Sequence, residues 1–178
     1  SSVVINGISS VSLDLSNTIL SLSSDDAAHK LHKADLVSLD LSGSTMRHAN
    51  IKDCSLNRAV LTGTDLSNAT ISDSILIEAF IDHTTDLHNA KLTNLDLSGA
   101  SLVGADISSA TLNNVNFFAS DLAGTKIKLS STVLSVSSFG RANLGSSTVA
   151  LDLSGANLRG VSFVDASLNN VDFTNADL

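Results

Sequence analysis

The chain has 178 residues and a mass of 18.4 kDa, enough for one domain or one section of a longer repetitive protein to bury a core without metal or disulfide support. Apolar residues make up 43% of it, yet the only aromatics are six Phe, and Trp, Tyr and Pro are absent; abundant Leu, Ile and Val exclude a disordered chain. Ten Lys and Arg against eighteen Asp and Glu give a formal charge of −8, the opposite of the clustered positive charge that direct nucleic-acid binding requires.

Residues 1–28 carry a thin version of the pattern that fills the rest. Leu13-Asp14-Leu15 and Thr18-Ile19-Leu20 read as part of a first coil, and Ser23-Ser24-Asp25-Asp26 as a loop or capping segment. The N-terminus lacks the basic region of a signal peptide and no run of 18 apolar residues occurs, so a cytoplasmic setting is favoured and no membrane partner is expected.

From residue 29 a large apolar residue recurs at every fifth position: Leu31, Leu36, Leu41, Met46, Ile51, Leu56, Leu61, Leu66, Ile71, Leu76 and Ile81. The phase slips by one near Thr84-Thr85 and resumes at Leu87, Leu92, Leu97, Leu102, Ile107, Leu112, Phe117, Leu122 and Ile127. Residues 128–152 are irregular, and order returns from Leu153 to Leu178. A five-residue period fits neither a helix nor a long flat strand. Two positions before each large residue stands a small one, which alternation places on the same inward side. Two positions after it stand Gly or Asn, as at Gly43, Gly63, Asn68 and Asn114, residues that accept the positive φ of a tight corner. Four such corners close a square of about 20 residues, and the squares stack through backbone hydrogen bonds at roughly 4.8 Å. The expected fold is therefore all-β, a parallel quadrilateral β-solenoid over 29–178, with a core ladder through Leu36, Leu56, Leu76, Leu97 and Phe117.

The units Ala34-Asp35-Leu36-Val37-Ser38, Ala105-Asp106-Ile107-Ser108-Ser109 and Ala156-Asn157-Leu158-Arg159-Gly160 make the chain resemble the pentapeptide-repeat family. That resemblance implies a right-handed β-helix and a non-enzymatic role in protein–protein interaction or self-association. It also raises an alternative, because the family includes quinolone-resistance proteins for which a DNA-mimicking role at DNA gyrase is proposed. The inward residues here are mostly Leu, whereas those members favour Phe, which ranks the scaffold role first.

Three sets of outward residues are candidates for recognition. Assigning successive units to four faces puts Asp65, Asp86 and Asp106 in one acidic column that ends at Lys126. Val37, Ile75, Ile77 and Phe118 form an apolar patch on one face, and Val60, Phe80 and Val103 on the next; such a patch usually marks a contact. Its occupant is either the chain's own N-terminal segment (Val3, Val4, Ile5, Ile8 and Val11), a second subunit or a partner protein. The third candidate is the C-terminal end at Leu178, an inward residue. A homodimer through this end or through the apolar patch is the expected form of self-association.

No catalytic, cofactor or metal site is expected. His29 and His32 beside Asp25-Asp26, and Asp82-His83 through Asp86 and His88, lack zinc-ligand spacing. Cys54 falls at a small inward position, so it reads as a buried thiol. The aliphatic interior leaves no pocket, and neither a nucleophile motif nor the aromatic platforms of a polysaccharide-cleaving β-helix are present.

Overall fold

A computed structural model describes residues 30–107, 109–123, 134–135, 137–145 and 151–178. Residues 1–28, the Lys126 end of the acidic column and much of 128–152 lie outside them. The described chain is a parallel β-solenoid of about six turns with no helix. Six short strands, β1 (Lys30–His32), β2 (Asn50–Lys52), β3 (Thr70–Ser72), β4 (Lys91–Asp96), β5 (Thr111–Asn116) and β6 (Leu134–Ser135), form one sheet in sequence order. A second sheet pairs β7 (Leu151–Asp152) with β8 (Val171–Asp172).

The five-residue units set four faces, each named by its inward side chains. The first face carries Ile51, Ile71, Leu92 and Leu112; the second Leu36, Leu56, Leu76, Leu97, Phe117 and Phe139; the third Leu41, Leu61, Ile81, Leu102, Leu122 and Leu144; the fourth Met46, Leu66, Leu87 and Ile107. All of these are buried. Coils are tied by reciprocal bonds: Leu36 N donates to Ser55 O at 2.7 Å and Ser55 N donates to Ala34 O at 3.0 Å, a pattern repeated down the rod. Every unit therefore spends its backbone groups on the coils above and below and its large side chain on the axis, each buried Leu or Phe stabilising the fold by roughly 1.5–3 kcal/mol.

The ladder on the second face changes from Leu to Phe partway down. The rings of Phe117 and Phe139 lie 4.8 Å apart and those of Phe139 and Phe163 5.4 Å apart, within 8° of parallel, because the coil spacing imposes a stack on identical side chains in one column. Between Leu61 and Phe117 the ladders leave a void of only about 10 Å³. That is no more than one water would occupy, so nothing larger enters the axis.

Small residues precede the large ones at most units, and where these are polar the hydroxyl is satisfied by backbone. Thr64 Oγ1 donates to Leu41 O at 2.9 Å, and Ser120 Oγ to Phe117 O at 2.7 Å. Leu39, Leu95 and Val115 depart from the small-residue rule yet are buried. Strands β4 and β5, which hold the last two, run through six residues where β1, β2 and β3 run through three.

The corners depart further from expectation. Positive φ occurs at Gly and Asn, but equally at Lys33, His48, Arg58, Glu78, Ala119 and Arg141, with φ between 55° and 58°. Corner geometry is imposed by the coil and is not selected residue by residue.

The phase slip is absorbed at the corner after Ile81. Ile71 pairs with Leu92 and Asp65 with Asp86, so stacking is retained with one residue extra. Thr85 takes the small inward position, its Oγ1 donating to Leu61 O at 2.7 Å. His83 is turned out to solvent. Within the irregular stretch, the described residues 137–145 resume coil geometry, Ser138 bridging both Asn116 and Ser162.

Candidate interaction surfaces

With the axis filled, recognition is left to the outward side chains, and the stacking register fixes which of them meet. Asp65, Asp86 and Asp106 do share a column on the fourth face, bridged coil to coil with Thr45 above them. They are not electrostatically equal. Arg47 Nε lies 2.8 Å from Asp65 Oδ2, and Ser67 donates to Asp65 Oδ1 from both its N (3.0 Å) and its Oγ (2.6 Å). Burial alone would raise the pKa of Asp65, but these hydrogen bonds and the Arg47 charge outweigh it and hold the carboxyl below its ordinary value. Asp86 accepts from His88 N at 2.9 Å, and Asp106 is exposed. The column thus offers a neutralised carboxylate followed by two others.

A second polar column runs along the corner between the first and second faces. Asn114 Nδ2 donates to Asn94 Oδ1 at 3.0 Å and Asn94 Nδ2 to Asp73 Oδ1 at 2.7 Å, a side-chain ladder one bond per coil. The bond from Asn94 holds the Asp73 carboxyl below its usual range, with help from Lys52. With Ile75, Asp96 and Asn116 this ladder lines a shallow groove. Sequence reading took these Asn as turn formers only; their twenty-residue spacing was the signal that they also stack.

The apolar patch divides into two. On the second face Val37, Ile77 and Phe118 occupy one outward column, with Val164 below them, and Ile75 stands in the parallel column. Arg141 covers the Phe118 ring, its guanidinium carbon 5.9 Å from the centroid. On the third face Val60 bridges Phe80 directly, and Val103 lies in the neighbouring column. Phe80 is 52% exposed and Val103 41%. Between the two patches the corner carries Arg58, which donates to Glu78 Oε2 at 2.7 Å. Farther down the rod Leu168 and Leu178 are exposed, Leu178 at 80%.

Of the histidine clusters, His29 and Asp25-Asp26 lie outside the described residues. Among the described residues no three His, Cys, Asp or Glu side chains converge on a metal position, and no helix is long and apolar enough to cross a membrane. Cys54 is buried, its Sγ donating to Leu31 O and Lys52 O at 3.3 Å, and burial raises the pKa of its thiol.

The sequence matches the family model described as pentapeptide repeats in eight copies, over residues 30–63, 40–77, 85–117 and 151–178. No curated protein matches it. Among solved structures, the fold is similar to a trypsin-treated form of QnrB1, a plasmid-mediated fluoroquinolone resistance protein, at 16% identity over 84% of this chain and 82% of that one, with a TM-score of 0.53. At that identity the likeness is one of fold. A pentapeptide repeat protein of the Arabidopsis thaliana thylakoid lumen is 27% identical over 66% of each chain, with a TM-score of 0.31. HetL of the cyanobacterium Nostoc, a pentapeptide repeat protein involved in heterocyst differentiation regulation, is 23% identical over 84% of this chain and 70% of that one, with a TM-score of 0.24.

Proposed function

The chain belongs to the pentapeptide-repeat family, and from that premise we propose that it is a non-enzymatic scaffold whose outer walls mediate protein–protein contact or self-association. The observation that carries this reading is the set of large apolar side chains turned to solvent on two adjacent faces, Val37, Ile75, Phe80, Val103 and Phe118, on a rod whose axis is filled between Leu61 and Phe117. Exposed apolar side chains gathered on a rigid sheet favour association because the backbone that carries them is already ordered before they bind. Light scattering over a concentration series tests the self-association arm: a strict monomer at high concentration removes it and leaves contact with a different protein.

The second reading is a DNA-mimicking protein that occupies a type II topoisomerase, and the stacked column of Asp65, Asp86 and Asp106 favours it. The column is a weak mimic by its own geometry. Coils repeat at about 4.8 Å, against about 3.4 Å of axial rise per phosphate along one DNA strand, and Arg47 already pairs with Asp65. A gyrase supercoiling assay decides it; unchanged supercoiling at excess protein rejects this reading.

A further inference from the structure

Resting on the scaffold reading, we propose that the third face is a docking site for an extended, cationic segment of a partner protein, with a Lys or Arg at each end and apolar residues between. The site is the column Asp40–Val60–Phe80–Ser101–Asp121, whose members are bridged coil to coil in that order. An apolar pair, half exposed at Phe80, is closed by a carboxylate above and, beyond one serine, a carboxylate below. The parallel outward column adds Asp82 and Val103 and no Lys or Arg. The two arginines of the adjoining corner are engaged elsewhere, Arg58 with Glu78 and Arg141 over the Phe118 ring.

Both end carboxylates are held in place by hydrogen bonds. Asp40 accepts from Ser42 N at 2.9 Å. Asp121 accepts from Ala123 N at 3.0 Å and Asn143 Nδ2 at 3.1 Å. Among the described residues, no Lys or Arg forms an ion pair with either. A partner that buries Val60 and Phe80 must therefore bring positive charge to both ends of the column, or leave two carboxylates partly desolvated and unpaired, which is costly. That requirement disfavours a purely apolar or acidic occupant.

The spacing sets the register. Asp40 and Asp121 are four coils apart, roughly 19 Å at the stacking distance of a sheet, which an extended chain covers in about six residues. Residues an even number apart point to the same side of an extended segment. Cations at positions 0 and 6 then meet the two aspartates, and apolar side chains at positions 2 and 4, about 6.6 and 13 Å along, straddle Phe80 at about 9.6 Å, the first of them also beside Val60. The motif is (Lys/Arg)-x-apolar-x-apolar-x-(Lys/Arg). The backbone ladder beneath keeps the column rigid, so binding orders only the partner.

The test uses the full chain and a fluorescein-labelled peptide, Ser-Arg-Ser-Leu-Ser-Leu-Ser-Arg-Ser, read by anisotropy. The controls are the same peptide with Glu for Arg and a permutation that places both Arg side by side. The expected result is binding of the first peptide about tenfold or more tighter than either control, weakened by salt, and weakened about tenfold by Phe80→Ser and by the pair Asp40→Asn and Asp121→Asn. Asp65→Asn leaves it unchanged, and all variants keep the wild-type circular dichroism because the positions face solvent. Absence of binding at millimolar peptide, or equal binding by the Phe80→Ser chain, overturns the proposal. Binding of the peptide that is indifferent to Phe80 leaves the scaffold reading in place and removes this one. Self-association that Phe80→Ser abolishes assigns the column to a second copy and likewise overturns it.

Discussion

His83 sits directly over Gly104: a β-carbon on Gly104 would lie 2.6 Å from His83 Cβ and 3.2 Å from its Cα. The extra residue of that coil is pushed outward at Asp82–Thr84, and the coil below makes room by having no side chain there. Gly104 also holds φ at +76°, where a side chain is strained. Gly155 is its natural control, with φ +64° and nothing within 4 Å of an added β-carbon.

Gly104→Ala therefore combines backbone strain with overpacking and is expected to cost about 2–4 kcal/mol. Gly155→Ala carries the strain alone and costs about 1 kcal/mol. Urea unfolding of the two variants checks the difference. Equal losses place the bulge elsewhere.

Ala119 makes the converse case. It is exposed, holds φ at 55°, and donates its N–H to Gly140 O at 2.9 Å. Ala119→Gly relieves about 1–2 kcal/mol of left-handed strain and returns about 0.5–1 kcal/mol through the greater freedom of the unfolded chain. The expected outcome is a stabilisation of about 0.5–1 kcal/mol, read as a higher urea midpoint at unchanged slope. A destabilised variant contradicts a corner set by the coil.

How much of this was legible in the sequence follows from what a five-residue period encodes. It encodes direction, so Leu36, Leu56, Leu76, Leu97 and Phe117 can be placed in one buried column before any coordinates. The same phase places Asp65, Asp86 and Asp106 together once the slip near Thr84 is counted as a single bulge. The period does not encode the corners. Arg58, Glu78 and Ala119 have no preference for positive φ and are carried there by the stacking of the coils. Val164 was missed for a related reason: Asn143 pairs with Ser167, twenty-four residues on, so the extra residues between Leu144 and Leu153 hide that Val164 continues the column of Phe118. Among the described residues the first interruption falls between the third and fourth faces, since Val60 pairs with Phe80 twenty residues on but Asp65 with Asp86 twenty-one on. Side-chain ladders such as Asn94–Asn114 require coil spacing as well as composition, which is why they read only as turn residues beforehand.

The acid limb of stability follows from carboxyls held below their ordinary value. Asp65, Asp73 and Asp82 share this direction: Asp65 through Ser67 and Arg47 against burial, Asp73 chiefly through Asn94, Asp82 through Thr84 against burial. A group whose pKa is lowered by folding contributes its full stabilisation above the unfolded value of 3.8 and loses it as pH falls through the folded value. The thermal midpoint is expected to hold level from neutral pH down to about pH 5 and to fall below about pH 4. Asp65→Asn flattens part of that fall. A midpoint that rises on acidification contradicts these assignments.

The central claim is that neighbours in sequence alternate between a sealed axis and an open wall, and Leu102 and Val103 test it most directly. Leu102 is 1% exposed and Val103 41%. The measurement is thermal unfolding followed by circular dichroism for Leu102→Lys and Val103→Lys. The first buries a charge with no partner and is expected to abolish the cooperative transition. The second leaves the midpoint within the change of about 0.5 kcal/mol that a solvent-facing substitution produces. A normal transition in Leu102→Lys, or equal damage from both, contradicts the account.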